Sequence, residues 1–119
     1  ITDNYEFVPA FDPAKIEFDV AGTSHCKDIK KCKKLLEINK KLYLKPEPTN
    51  PSDKNAIKII FKENNKEYHL GYVPRYYCQE LLEKLNQGIE YSAMIKSLNL
   101  ESNLNDENIT ANVKLILNV

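Results

Sequence analysis

Residues 50–75, NPSDKNAIKIIFKENNKEYHLGYVPR, carry a turn, two strands, a hairpin and a helix entry in one unbroken run. Asn50-Pro51-Ser52-Asp53 is dense turn chemistry, because Asn and Asp side chains bond nearby backbone and proline fixes φ. From Ala56 to Lys62, the apolar Ile57, Ile59 and Phe61 recur every second residue and fall on one face of a strand. Asn64-Asn65 suits a two-residue hairpin turn into a second strand over Tyr68–Val73. Pro74 fits the entry of a helix over Arg75–Gln87. There Cys78, Leu81, Leu82 and Leu85 form the i, i+3, i+4, i+7 stripe, and Gly88 fits the position just past the end.

Working outward, Ile16, Phe18 and Val20 alternate with Glu17 and Asp19, and Gly22 ends that strand. His25–Glu37 carries Cys26, Ile29, Cys32, Leu35 and Leu36 at helical spacing. Lys41–Lys45 alternates again, with Leu42 and Leu44 inward, until Pro46, Pro48 and Pro51 stop the ladder. Downstream, Tyr91, Ala93 and Ile95 mark another strand, and Asn99–Asn108 reads as a polar loop. Ala111, Val113, Leu115, Leu117 and Val119 then alternate to the end, as a core strand would. Residues 1–14 show no sustained period and read as an arm or linker before a single domain over 15–119. Many short strands with turns between them predict a mainly β fold. The pattern favours a small, closed or nearly closed antiparallel barrel of about six strands with one or two α-helices.

Composition narrows the function. With 119 residues, 42% hydrophobic and 29% charged, the chain fits one domain with one modest core. No apolar run approaches the roughly 18–20 residues of a membrane helix. Seventeen basic and seventeen acidic residues cancel, which argues against non-specific coating of duplex DNA, since counterion release needs many cationic contacts. A pocket for one or two phosphates is compatible with neutrality. All the cations but one are Lys, and Arg75 is the single arginine. Cys26, Cys32 and Cys78 match no disulfide framework or zinc spacing; they read as free thiols of an intracellular, reducing compartment, Cys78 as a small buried hydrophobe.

Two polar clusters carry what chemistry there is. Residues 48–56 read first as a rigid turn whose Asx side chains cap the next strand, and Leu70–Arg75 reads first as a strand-to-helix turn. Arg75 departs from that plain reading. A cation in the first turn of a helix opposes the macrodipole, and a bound anion there would reverse the sign.

In these clusters the sequence resembles the HIRAN domain family. The residues that carry the resemblance are Val20-Ala21-Gly22-Thr23-Ser24-His25, then Glu47-Pro48 with Asn50-Pro51-Ser52-Asp53-Lys54-Asn55-Ala56-Ile57, then Leu70-Gly71-Tyr72-Val73-Pro74. The resemblance implies an OB-like fold and a pocket for the 3′ end of single-stranded DNA, best described for versions attached to fork-remodelling translocases. It places the partner of the terminal sugar hydroxyl at Asp53, with Asn50 and Thr49 lining the same loop and Ser52 and Lys54 beside it. It sets Arg75 against phosphate and Tyr72 in the pocket wall.

A carboxylate makes sense in a DNA site only at a strand end. It repels a phosphate, but accepts a hydrogen bond from a free hydroxyl. The chain also departs from the end-binding pattern. Ser52 stands where those members carry an aromatic residue, which removes a stack typically worth about 1–3 kcal/mol. Their arginine after the first glycine falls near Thr23 or Ser24, and His25 takes an aromatic position, where it either stacks or caps the next helix. These departures predict weaker binding.

The leading expectation is therefore a non-enzymatic module for single-stranded DNA or DNA ends in repair or replication-related processing, with a helicase or nuclease fused to it or associated with it. The alternative is a protein-interaction or structural domain that has lost DNA binding. Two histidines and no nucleophile arrangement, metal spacing or phosphate loop leave little for an enzyme, and no cofactor is expected.

Overall fold

The computed structural model describes residues 15–23, 26–99 and 110–118. Six strands form one antiparallel sheet: β1 (Lys15–Asp19), β2 (Lys41–Pro46), β3 (Ile57–Glu63), β4 (Lys66–Tyr72), β5 (Glu90–Asn99) and β6 (Thr110–Asn118). Their order is β1-β6-β5-β2-β3-β4, so the last strand lies inside the sheet between the first and the fifth. A short helix α1 (Lys27–Cys32), continued by a 3₁₀ turn over Lys33–Leu35, follows β1, and α2 (Arg75–Asn86) follows β4.

Local chemistry accounts for the boundaries. Asn64 and Asn65 hold φ of 52° and 64°, the pair of left-handed positions that a tight hairpin turn demands. Helix α2 ends at a left-handed Gly88, φ 80°. Gly88 N–H donates to Leu85 O (3.0 Å) and Ile89 N–H to Lys84 O (3.2 Å), bonds that help to satisfy the carbonyls of the last turn. The alternating apolar residues meet in one core of Phe18, Leu42, Ile57, Ile59, Phe61, Leu70, Ile95, Val113 and Leu115, against which α1 lays Ile29 and α2 lays Cys78 and Leu81.

The ladder does not close into a barrel. Strands β1 and β4 are its edges, and they meet at one point just past β1. Ala21 N–H donates to Tyr72 O and Tyr72 N–H to Ala21 O, both at 2.8 Å. Closure goes no further because the chain turns at Gly22, φ 73°, and α1 then takes the space beside β4. Asp28 Oδ2 accepts the edge N–H of His69 at 3.1 Å, where a strand would otherwise pair. The register of β3 against β4 also shifts between Ile59 and Ile60, leaving Leu70 as an extra residue before the seam.

The seam depends on Gly71. A Cβ there would lie 2.5 Å from both the Ala21 carbonyl oxygen and Val20 Cγ1, well inside contact distance. Backbone and a core valine are the obstacles, so neither yields cheaply. Gly71→Ala is expected to destabilise the domain by about 1–3 kcal/mol, the usual cost of overpacking, measured as a fall in the urea midpoint. A midpoint equal to that of the unmodified chain would mean that the seam is slack.

Candidate nucleic-acid interface

The loop between β2 and β3 is fastened at its neck by Glu47 N–H donating to Ala56 O (2.8 Å). Two turns lie inside it, closed by Asn50 N–H to Glu47 O and Ala56 N–H to Asp53 O, each 3.0 Å. Asn50 uses its whole side chain. Its Oδ1 accepts the N–H groups of Ser52 (2.8 Å) and Asp53 (3.0 Å), while its Nδ2 donates to Glu47 Oε1 (2.7 Å) and, at 3.4 Å, to the Tyr72 hydroxyl. The turn chemistry read from the sequence is thus present, and it reaches across to β4.

Glu47 is the centre of that link. The Tyr72 hydroxyl donates to its Oε1 at 2.9 Å, and Lys58 Nζ lies 2.9 Å from its Oε2. Hydrogen bonds from Asn50, then Lys58 and Tyr72, outweigh partial burial and bring its carboxyl from the usual 4.5 down to about 2. Burial and the bond to Glu47 push the Tyr72 phenol up, so it stays protonated and donating. The His69 ring stands edge-on to Tyr72, centroids 4.8 Å apart. Burial lowers the pKa of His69, and its Nε2 lies 2.9 Å from Gly71 O, as a neutral ring donating from Nε2 would place it.

Between this loop and the start of α2 lies a cavity of about 280 Å³, lined by Ala21, Asn50, Ser52, Asp53, Ala56, Tyr72, Val73 and Arg75. Five of the residues singled out from sequence, Asn50, Ser52, Asp53, Tyr72 and Arg75, therefore share one cavity. Thr49 and Lys54 are exposed on the same loop and do not line it. His25 and Ser24 lie outside the described residues.

The mouth of the cavity carries one ion pair. Asp53 Oδ1 accepts the N–H of Asn55 at 2.9 Å, which fixes the carboxylate and leaves Oδ2 facing Arg75 Nε at 3.6 Å. Asp53 is 21% exposed and Arg75 77%, so the carboxylate is held by the loop while the guanidinium stands largely in solvent. Arg75 opens α2, whose first turn holds no acidic residue and whose N-cap, Pro74, supplies no side-chain bond. Among the described residues, no group of three or more His, Cys, Asp or Glu could hold a metal.

The fold recurs in known proteins. The family model for the HIRAN domain matches residues 14–117. The chain belongs to the HIRAN domain family. The family is known for DNA-binding modules rather than catalysts. Two solved structures share the fold: the crystal structure of the HIRAN domain of human HLTF, with TM-score 0.63 and 17% identity over 87% of this chain and 74% of that one, and that of a protein from Lactobacillus plantarum, with TM-score 0.62 and 21% identity over 87% and 97%. A search of curated proteins finds no match to the sequence.

Sequence reading gave no site role to four contributors to this HIRAN cavity, among them Ala56, which lines it from the end of the β2–β3 loop. Ala21 and Val73 line it through the seam, which no local pattern announces. Glu47 was noted only as part of the string before the turn. A carboxylate beside a proline-rich turn says nothing of a tyrosine hydroxyl on another strand. The link has a pH consequence. Because the folded-state pKa of Glu47 is depressed, its contribution to stability is full above about 4.5 and is lost as pH falls towards about 2. Glu47→Gln should be less stable at neutral pH and show a flatter decline across that window, followed by urea unfolding at a series of pH values. Parallel curves for the two proteins would remove Glu47 from the acid response.

Proposed function

We propose that the cavity takes the 3′-hydroxyl end of a single DNA strand, with Asp53 accepting the hydroxyl and Arg75 meeting the phosphate behind it. The observation that carries this reading is the division of labour on Asp53. One oxygen is tied to the loop by Asn55, and the other opens onto the cavity with a solvent-exposed cation beside it. A strand end brings both a donor for that oxygen and an anion for the cation, so the guanidinium gains a counter-charge while the carboxylate keeps a hydrogen-bond donor. A continuing strand brings a second phosphate against the carboxylate and is rejected. Tyr72, Asn50 and Ser52 supply the walls, and the exposed Thr49 and Lys54 lie on the same loop.

On this reading the domain is a binding module without catalytic residues. It serves DNA repair or replication-related processing by bringing a fused or associated helicase or nuclease to strand ends. Three free thiols, two of them buried, suit a reducing compartment.

Labelled oligonucleotides followed by fluorescence anisotropy test the assignment. A strand ending in 3′-OH should bind more tightly than the same strand ending in 3′-phosphate, by roughly the 1.5–3 kcal/mol typical of a charged hydrogen bond. Asp53→Ala should weaken the hydroxyl-ended strand and narrow the gap between the two. Arg75→Ala should weaken both about equally, because phosphate contact carries no information about the end. Equal binding of both ends by the unmodified protein would take the end-reading role from Asp53. Binding of neither would favour a protein-interaction domain.

A further inference from the structure

The outward face of β2 and β3 carries a charge pattern that folding alone does not explain. Lys45 and Lys58 are directly opposed across the two strands, an arrangement that costs stability because like charges face each other. One step along, Lys41 and Lys62 both stand over the ring of Tyr43, with their ammonium nitrogens 5.2 and 4.2 Å from its centroid. Tyr43 is itself opposed to Ile60, which is only 5% exposed yet lies outside the main core cluster. The ring and the lysine stems therefore cover an apolar floor of their own. A second cleft of about 230 Å³ opens here, lined by Tyr43, Leu44, Lys45, Ile60, Lys62, Glu67 and Tyr91.

Three of these four lysines share two carboxylates. Glu67 lies between Lys45 (3.8 Å) and Lys62 (4.0 Å), and Glu47 takes Lys58. An excess of positive charge is thus concentrated on one sheet face of a chain whose total is zero. The face is continuous with the cavity, since Lys58 holds the Glu47 that in turn holds Tyr72 and Asn50. Along β2, Tyr43 stands about 13 Å from Glu47 at the usual strand rise.

We infer that Lys45, Lys58, Lys41 and Lys62, the last two set in place by Tyr43, form a track for the phosphates of the same strand whose end occupies the cavity. The inference rests on the end-binding reading and adds to it a second site with a separate length requirement. Phosphates arriving on the track offset the opposed lysines, and the Tyr43 ring keeps two ammonium groups at a fixed height above the sheet.

A dinucleotide fills the cavity without reaching Tyr43, whereas a decamer reaches it. The unmodified protein should bind a thymidine decamer at least tenfold more tightly than a thymidine dinucleotide, both ending in 3′-OH. In the Lys41→Gln/Lys62→Gln double variant, decamer affinity should fall roughly tenfold at low salt. The slope of log K against log salt should drop by about 1.4, two contacts at 0.7 each. Dinucleotide binding should stay unchanged, and circular dichroism should show an unaltered fold, since both residues are exposed. A decamer that binds no better than the dinucleotide, or an unchanged slope in the double variant, overturns the track while leaving the end-binding cavity standing. Failure of the unmodified protein to bind either oligonucleotide overturns both. If an acidic peptide competes for the lysine face while the decamer does not, the face belongs to a protein partner and the track is wrong.

Discussion

Two hydrogen bonds between Ala21 and Tyr72 hold the edges of the sheet together, and the rest of the arrangement follows from that narrow contact. Without it, β1 and β4 would be the distant ends of an open six-stranded sheet. The contact forms only because Gly71 presents no side chain where the backbone of Ala21 passes. Once the edges meet, Tyr72 is fixed at the rim with its hydroxyl turned towards the β2–β3 loop, and Pro74 starts α2 at the same place. A cavity thus arises where a full barrel would have had another rung of ladder.

Glu47 carries this restraint from the seam to the loop. Its carboxylate joins a tyrosine of β4, a lysine of β3 and an asparagine of the loop. Asn50 in turn holds the backbone of Ser52 and Asp53. The position of Asp53 is therefore set by a chain of bonds that begins at the edge of the sheet. This is the kind of support that a small, precise site needs, because a loop alone would let its carboxylate wander.

The sequence was informative where chemistry is local. Alternation of apolar residues located five of the strands, Asn64-Asn65 announced the hairpin into β4 and Gly88 the end of α2, because each is decided within a few residues. It was less informative where distant segments meet. Ile16, Phe18 and Val20 show that β1 has a buried side, but nothing in them says that the chain beyond will bond to Tyr72 and then stop. The helical spacing across His25–Glu37 was shortened to six residues and a 3₁₀ turn. Periodicity reports a buried face, whereas helix length there is limited by the space beside β4. For the cavity, the turn residues and Arg75 were readable as types, while their convergence depended on a tertiary contact.

The way α1 lies against β4 bears on how the domain behaves beside copies of itself. An exposed edge strand is a template onto which another chain can add, and small β proteins that leave such edges bare tend to aggregate or exchange strands. Here Asp28 occupies the edge amide of His69. On the other side of the sheet, where β2 parts from β5, the Tyr91 hydroxyl accepts the Leu44 N–H at 2.8 Å. A carboxylate and a phenol thus take up backbone groups that an invading strand would need. With both positions occupied, those backbone groups are closed to strand addition from a neighbouring copy.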